Sequence, residues 1–102
     1  MKLFIDTSNA EKIVIGLDGE KFESSARQKT SQKLLPSISE ILNKYGSSIK
    51  EITEIEENRG PGSFTGLRVG VSVANALGWT LGIPVNGKKV LKGKPLDIKY
   101  SS

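Results

Sequence analysis

The strongest constraint on the fold is a glycine-rich stretch followed by small residues at every fourth position. The stretch Gly60–Gly66 (GPGSFTG) lies between a predicted strand and a predicted helix. In the helix, Gly66, Gly70, Ala74 and Gly78 share one face. Glycine inside a helix costs up to about 1 kcal/mol relative to alanine, so these glycines require a compensating gain. Close approach of another backbone supplies one, and the spacing leaves open whether that backbone belongs to a helix, the sheet or another subunit.

Hydrophobic periodicity around this stretch predicts the element order β-β-β-α-β-α-β. The predicted strands cover residues 2–6, 12–17, about 21–27, 52–57 and 83–85. The first helix is expected to start at an N-cap on Ser31 and to stop at Gly46, and the second runs from Leu67 to Leu81. Asp18-Gly19 is a strong hairpin signal between the second and third strands. This order predicts an α/β fold in which two helices cover a mixed sheet.

The composition excludes several classes of chemistry. The chain has 102 residues, enough for one compact domain, and contains neither His nor Cys. Without them there is no Ser-His-Asp or Cys-His machinery, no disulfide framework and very little ligand supply for zinc or haem. No metal site and no cofactor are therefore predicted. No apolar run approaches the roughly 18 residues that span a bilayer, so we expect no membrane partner and a cytoplasmic location.

The glycine-rich stretch has two open interpretations. A loop between a strand and a helix N-terminus is suited to binding a phosphate. It is not a Walker A loop, because Leu67 and Arg68 follow it, and Thr65 stands where a dinucleotide motif needs its third glycine. Alternatively the loop is a tight turn in which Ser63 or Thr65 caps the helix. The candidate phosphate-binding residues, including the polar end of the first strand, are Asp6, Thr7, Ser8, Gly60, Gly62, Ser63 and Thr65.

Another face of the second helix carries Arg68, Ser72, Asn75 and Trp79. An aromatic residue with an arginine on a polar stripe is typical of a patch that contacts a partner. The alternative is that the domain itself half-covers Trp79.

Charge is distributed unevenly along the chain. The net charge of +4 resides in the segment after Val85, which has five lysines and one aspartate, while the preceding residues are balanced. The segment is interpreted as a solubilising extension, with contact to nucleic acid as the alternative. An acidic run at Glu51, Glu54, Glu56 and Glu57 is expected to form a solvated face, because charge inside a strand is costly unless one face is wet.

Four segments together resemble one known family. They are Ile5–Ser8, Leu34–Pro36, Gly60–Val71 and Leu81–Val85. In this order and spacing they resemble the TsaB (YeaZ) family, the partner subunits in bacterial threonylcarbamoyladenosine modification of tRNA. The resemblance covers roughly residues 1–86, and the glycine-rich stretch is its most specific part.

The resemblance implies an actin-like ATPase (ribonuclease H-like) domain with a five-stranded sheet of order 3-2-1-4-5 and two main helices. Residues 1–86 correspond to the first of the family's two domains, and residues 87–102 form a Lys-rich extension. TsaB proteins are non-catalytic, bind the catalytic subunit TsaD through the two helices of this domain, and form homodimers by the same surface when alone. An ATPase subunit, TsaE, acts in the same complex, and tRNA is reached indirectly.

The implied partner interface combines the two helices. Its candidate residues are Leu34, Ile38, Gly66, Arg68, Gly70, Ser72, Ala74, Asn75, Gly78 and Trp79. The leading hypothesis is a non-catalytic scaffold that docks on a TsaD-type subunit. The alternatives are a small ATPase-like module that binds phosphate or a nucleotide at the glycine-rich stretch, and direct tRNA binding by the Lys-rich segment.

Overall fold

A computed structural model describes residues 1–89 of the chain. Six strands and two long helices make up the domain, with a short 3₁₀ turn at Ile49–Glu51. In chain order the elements are β1 (Lys2–Asp6), β2 (Lys12–Leu17), β3 (Glu20–Ser25), α1 (Thr30–Lys44), β4 (Glu54–Glu57), α2 (Phe64–Leu81), β5 (Pro84–Val85) and β6 (Lys88–Lys89). Neither helix of this part combines the length and hydropathy needed to cross a bilayer.

The strands form one mixed sheet with the order β3-β2-β1-β4-β5-β6. β1, β2 and β3 are antiparallel neighbours, whereas β4 and β5 add in parallel beside β1. The predicted order 3-2-1-4-5 is confirmed, but the sheet has a sixth strand. Lys88 and Lys89 pair antiparallel with β5, so the sheet continues past the expected boundary after Asn86. Residues 90–102, the rest of the predicted extension, lie outside the described residues.

The sixth strand follows from a turn that the sequence interpretation missed. Asn86 and Gly87 both have positive φ, 51° and 77°, as the two-residue turn of a tight hairpin requires. Asn-Gly is as strong a hairpin signal as Asp18-Gly19, so the sequence contains the signal for this second turn. The Lys-rich segment therefore begins inside the sheet.

The two faces of the sheet differ sharply. Both helices cover one face, where Leu3, Ile5 and Ile15 are completely or almost completely buried. On the opposite face, Lys2 Nζ lies 3.2 Å from Glu56 Oε1, and Lys21 Nζ sits 4.7 Å from the centre of the Phe4 ring. This alternation is typical of a sheet with one packed and one solvated face.

The N-terminal end of α1 differs from the prediction, and its C-terminal end agrees with it. The helix begins at Thr30, and Lys29 occupies the N-cap position without a side-chain cap, so Ser31 is not the cap. The turn before the helix holds the chain here, because Gln28 N donates to Ala10 O at 2.9 Å, and the N-cap lies two residues earlier than predicted. At the other end Gly46, with φ of 67°, stops the helix as predicted.

α2 starts three residues earlier than predicted and is capped by the glycine-rich stretch. Ser63 is its N-cap, and the Ser63 side chain accepts a hydrogen bond from Gly66 N at 3.3 Å. The capping interpretation of Ser63 is therefore confirmed, while Thr65 lies inside the helix. Gly82, with φ of 67°, ends the helix.

Candidate functional site

The glycine-rich stretch packs directly on the end of β1. A Cβ on Gly62 would lie 2.6 Å from Ser8 O, and one on Gly66 would collide with the carbonyl oxygen of Thr7. A Cβ on Gly70 would collide with Thr7 Oγ1 and lie 2.7 Å from Glu57 Oε1. Gly62 and Gly66 thus allow the close approach of the backbone that directly follows β1, and Gly70 allows that of the Thr7 and Glu57 side chains.

Hydrogen bonds reinforce this contact. Thr7 Oγ1 donates to Gly66 O at 2.6 Å, and Ser63 N donates to Ser8 O at 2.7 Å. Asp6 Oδ1 accepts from Ser8 N at 2.9 Å and from Ser8 Oγ at 2.6 Å. Burial alone would raise the pKa of Asp6, but the hydrogen bonds from Ser8 and Asn58 and the charge of Lys21 outweigh it and lower the pKa.

The predicted phosphate-binding residues are therefore brought together, but their polar groups are largely used inside the domain. Thr7 is fully buried, and its hydroxyl is committed to Gly66. Gly60 N donates to Asn58 Oδ1 at 3.0 Å, and the Ser63 amide is bound to Ser8. Two of the amides that the phosphate interpretation would use are therefore occupied within the domain, and phosphate binding by this stretch stays a prediction.

Glu57 is the main departure from the predicted acidic face. Glu54 and Glu56 point to the solvated side, whereas Glu57 is only 3% exposed and lies beneath α2 at Gly70. Burial raises the pKa of Glu57 to about 8. The positive charge of Arg59 opposes this rise in pKa, and the negative charge of Asp6 adds to it. The expectation of a solvated run is wrong for this residue, because successive strand residues face opposite sides.

Arg59 and Glu57 border an open cavity of about 420 Å³ at the carboxyl ends of β1 and β4. Within residues 1–89, neither carboxylate oxygen of Glu57 has a hydrogen-bond partner, nor do Nε and Nη2 of Arg59. Sequence reasoning assigned Glu57 to the solvated acidic run and gave Arg59 no role, since neither belongs to a recognised motif.

Asn86 lines this cavity, and its side chain is hydrogen-bonded to the backbone of Glu57. Its Oδ1 accepts from Glu57 N at 2.7 Å, and its Nδ2 donates to Glu57 O at 3.0 Å. Its own amide donates to Ile55 O at 2.8 Å. The side chain thereby extends the pairing of β4 and β5 by one residue.

The predicted partner interface divides into inward and outward residues. Six of its members face the interior and offer no surface to a partner: Leu34, Ile38, Gly66, Gly70, Ala74 and Gly78. This part of the prediction is wrong, because the sheet is the partner that their helix faces require. Arg68, Ser72 and Trp79 are exposed and Asn75 is half-buried, so these four stay candidates.

An apolar groove adjoins the outward residues. It has a volume of about 310 Å³ and lies between α1 and α2, with Leu35 on one side and Val73 and Leu77 on the other. Leu35, Phe64 and Trp79 are each 51% exposed. Leu35 was missed because the prediction placed its buried neighbour Leu34 in the interface instead.

No group of three potential metal-ligating side chains occurs between Met1 and Lys89. The described site thus combines an apolar groove, the exposed aromatic residues Phe64 and Trp79, and the buried Glu57 carboxyl with Arg59 at the carboxyl end of β4.

Comparison with known proteins decides the family. The family model for TsaD, described as tRNA N6-adenosine threonylcarbamoyltransferase, matches residues 23–93. The tRNA threonylcarbamoyladenosine biosynthesis protein TsaB of Escherichia coli (strain K12) is 37% identical over 93 residues, which cover 87% of this chain. The chain belongs to the TsaB family. TsaB of Bacillus subtilis (strain 168) is 31% identical over 98 residues, and the chain spans only 40% and 41% of these two relatives.

Solved TsaB (YeaZ) structures share the fold. YeaZ from Pseudomonas aeruginosa superimposes with a TM-score of 0.71 at 29% identity, covering 82% of this chain and 42% of that one. A second structure, of an uncharacterised protein with similarity to peptidase YeaZ from the same organism, gives a TM-score of 0.72. The actin-like, ribonuclease H-like fold and the TsaB resemblance expected from the sequence are thereby confirmed.

Proposed function

We propose that the chain is a non-catalytic partner subunit in threonylcarbamoyladenosine biosynthesis on tRNA, and that it binds a TsaD-type transferase through α1 and α2. Membership of the TsaB family supports the pathway. The apolar groove between the two helices supports the mode of binding and is the observation on which the proposal depends.

The groove has the character of a docking surface. Leu35 and Trp79 present large, half-exposed apolar side chains on the two helices. Large aromatic and aliphatic anchors of this kind supply most of the binding energy in protein interfaces. At the start of α2, the Arg68 guanidinium lies 5.3 Å from the centre of the Phe64 ring, which adds a cationic rim. A helix of the partner that buries Leu35 and Val73 would fill the groove.

The same surface is proposed to form homodimers when the transferase is absent. A TsaE-type ATPase and tRNA would then reach the complex through the transferase, in the cytoplasm. The chemistry would remain with the transferase, since this chain has no His or Cys to act as a general base or nucleophile at neutral pH.

The test replaces Ala76, an exposed residue lining the groove, with glutamate. Ala76→Glu keeps helix propensity high and places a charge in the apolar contact. The matched control is Asn43→Glu, which adds the same charge at an exposed position of α1 that does not line the groove. Copurification with the cognate TsaD-type subunit and the mass of the free chain by light scattering are measured for all three proteins.

We expect the unmodified chain and Asn43→Glu to copurify with the transferase and to form dimers when alone. Ala76→Glu should lose both associations while its circular dichroism is unchanged. Failure of the unmodified chain to bind the transferase would refute the proposal. Equal binding by Ala76→Glu would exclude the groove as the docking surface.

A further inference from the structure

β3 is the outermost strand at one edge of the sheet. Of the strands in residues 1–89, only β2 adjoins it. Both residues of the Asp18-Gly19 turn have positive φ, 49° and 90°, as in a two-residue hairpin turn. Such a hairpin closes with a hydrogen-bonded pair, here Leu17 and Glu20, and bonded and non-bonded pairs then alternate along the strands. The turn therefore fixes which residues of β3 direct their backbone groups away from the sheet.

Two residues of β3 have backbone groups that point outward. Phe22 bonds to β2 opposite Ile15, so the amides and carbonyls of its neighbours Lys21 and Glu23 point away from β2. No turn, loop or side chain within residues 1–89 forms a hydrogen bond with these groups. Ser25, at the end of the strand, differs because its carbonyl accepts from Lys33 Nζ at 3.5 Å. An edge with free amides and carbonyls can receive a further strand.

The side chains of Lys21 and Glu23 place opposite charges along this edge. Both residues are exposed and lie on the solvated face of the sheet, one on each side of Phe22. Lys21 Nζ lies 4.7 Å from the centre of the Phe4 ring, and Glu23 Oε2 lies 3.7 Å from Lys12 Nζ. Contacts between exposed side chains such as these are weak, so both charges remain available to a partner.

The charge pattern favours one alignment for a second copy of β3. In antiparallel pairing about Phe22, Lys21 lies opposite Glu23 of the second copy, and Glu23 lies opposite its Lys21. Each of these pairs exchanges both of its backbone hydrogen bonds, because all four residues direct their amides and carbonyls outward. A displacement by two residues would instead place Lys21 opposite Lys21, or Glu23 opposite Glu23. Like charges directly opposite each other destabilise a sheet, so these alignments are disfavoured.

Phe22 adds an apolar contact to the favoured alignment. Its ring is half-buried on the face of the sheet that the helices cover, where it meets the Tyr45 ring edge-on with the ring centres 5.7 Å apart. Two Phe22 residues opposite each other form a non-hydrogen-bonded pair, in which the side chains approach most closely. Aromatic pairs across strands stabilise a sheet.

We propose that a second copy of the chain pairs antiparallel with the outer edge of β3, centred on Phe22, and makes the two sheets continuous. Only one strand of each copy takes part, so the contact is small and weak, with a dissociation constant on the order of 0.1–1 mM. No residue of β3 lines the groove between α1 and α2. A chain whose groove is occupied can therefore still pair through β3, and this proposal does not depend on the proposed function.

The test is a dilution series of the ¹⁵N-labelled full chain from millimolar to micromolar concentration, followed by amide chemical shifts and the diffusion coefficient. The variants are Lys21→Glu, Glu23→Lys and the double exchange Lys21→Glu/Glu23→Lys, all at exposed positions. Lys89→Glu makes the same charge change as Lys21→Glu at an exposed position of β6, on the opposite edge of the sheet, and is the matched control. The series is repeated in the Ala76→Glu background, so that association through the groove is measured separately.

We expect the amides of Lys21 and Glu23 to shift with concentration, in both backgrounds, as the diffusion coefficient falls. Each single variant should weaken pairing roughly tenfold, because like charges then face each other in two symmetry-related pairs. The double exchange should restore pairing, since it restores opposite charges in the same alignment. Lys89→Glu should pair as the unmodified chain does.

Three results would overturn the proposal. Shifts at β3 that do not depend on concentration would mean that its charges keep the edge free of other strands. Failure of the double exchange to restore pairing would exclude the alignment about Phe22. Weakened pairing in Lys89→Glu would indicate head-to-tail contact between β3 and β6 instead of contact between two copies of β3.

Discussion

Replacing Gly66 with alanine tests directly what the small-residue face of α2 is for. If Gly66 existed to meet another subunit, alanine would stabilise the isolated domain, because alanine is the better helix former by up to about 1 kcal/mol. In the structure a methyl group there would collide with the carbonyl oxygen of Thr7. That oxygen belongs to the backbone at the end of β1 and has little freedom to move away.

The expected loss follows from these opposing effects. Forcing an extra methyl group into a packed contact typically costs about 1–3 kcal/mol, and more where the neighbour is backbone. The same displacement strains the Thr7 Oγ1 to Gly66 O hydrogen bond of 2.6 Å, which is worth about 1 kcal/mol. After the gain in helix propensity is subtracted, we expect a net destabilisation of about 1–3 kcal/mol.

Urea denaturation followed by far-ultraviolet circular dichroism measures this change. Ser72→Ala, on the exposed side of the same helix, is the control for propensity and should be neutral or slightly stabilising. A loss of about 2 kcal/mol would lower the melting temperature by roughly 8–16 °C in a domain of this size. A Gly66→Ala variant as stable as the unmodified chain would refute the packing explanation.

Two further predictions concern the end of β4. Folding raises the pKa of the Glu57 carboxyl from 4.5 to about 8, so between these pH values the folded state keeps a proton that the unfolded state has released. The free energy of unfolding should therefore fall as the pH rises from 4.5 to 8, and level off above about pH 8. Glu57→Gln should remove most of that decline in urea denaturation at several pH values, and an identical decline in both proteins would contradict the assignment. Asn86→Ala should cost about 1–3 kcal/mol, because the amide and carbonyl of Glu57 lose their side-chain partners. Hydrogen exchange at the Glu57 amide should then accelerate. Unchanged protection would show that the Asn86 side chain does not hold this amide.

The elements of the fold could largely be predicted from the sequence, because the patterns that define them are local. Gly46 and Gly82 both stop helices with left-handed backbone, as their positions indicated. The strand order 3-2-1-4-5 came from the family resemblance and was confirmed. β6 was missed for a local reason, since the Asn86-Gly87 turn was treated as part of a tail.

The site was predicted less well, because it depends on which neighbour each face meets. The family resemblance placed Leu34 in the partner interface, although Leu34 is completely buried within the domain. Helical spacing showed that Gly70 needs a close neighbour, but could not identify that neighbour as Thr7 and Glu57. Such contacts join residues far apart in the chain, and a single sequence carries no direct record of them.

The neighbouring carboxylates of β4 also bear on how the sheet assembles. Ile55 faces the core beside β1, while Glu54 and Glu56 face water and Glu56 pairs with Lys2. If β4 added to the sheet displaced by one residue, every side chain would change sides. Two unpaired carboxylates would then enter the apolar layer, and Ile55 would leave it. The charged strand that looks unfavourable in the sequence therefore penalises pairing that is displaced by one residue.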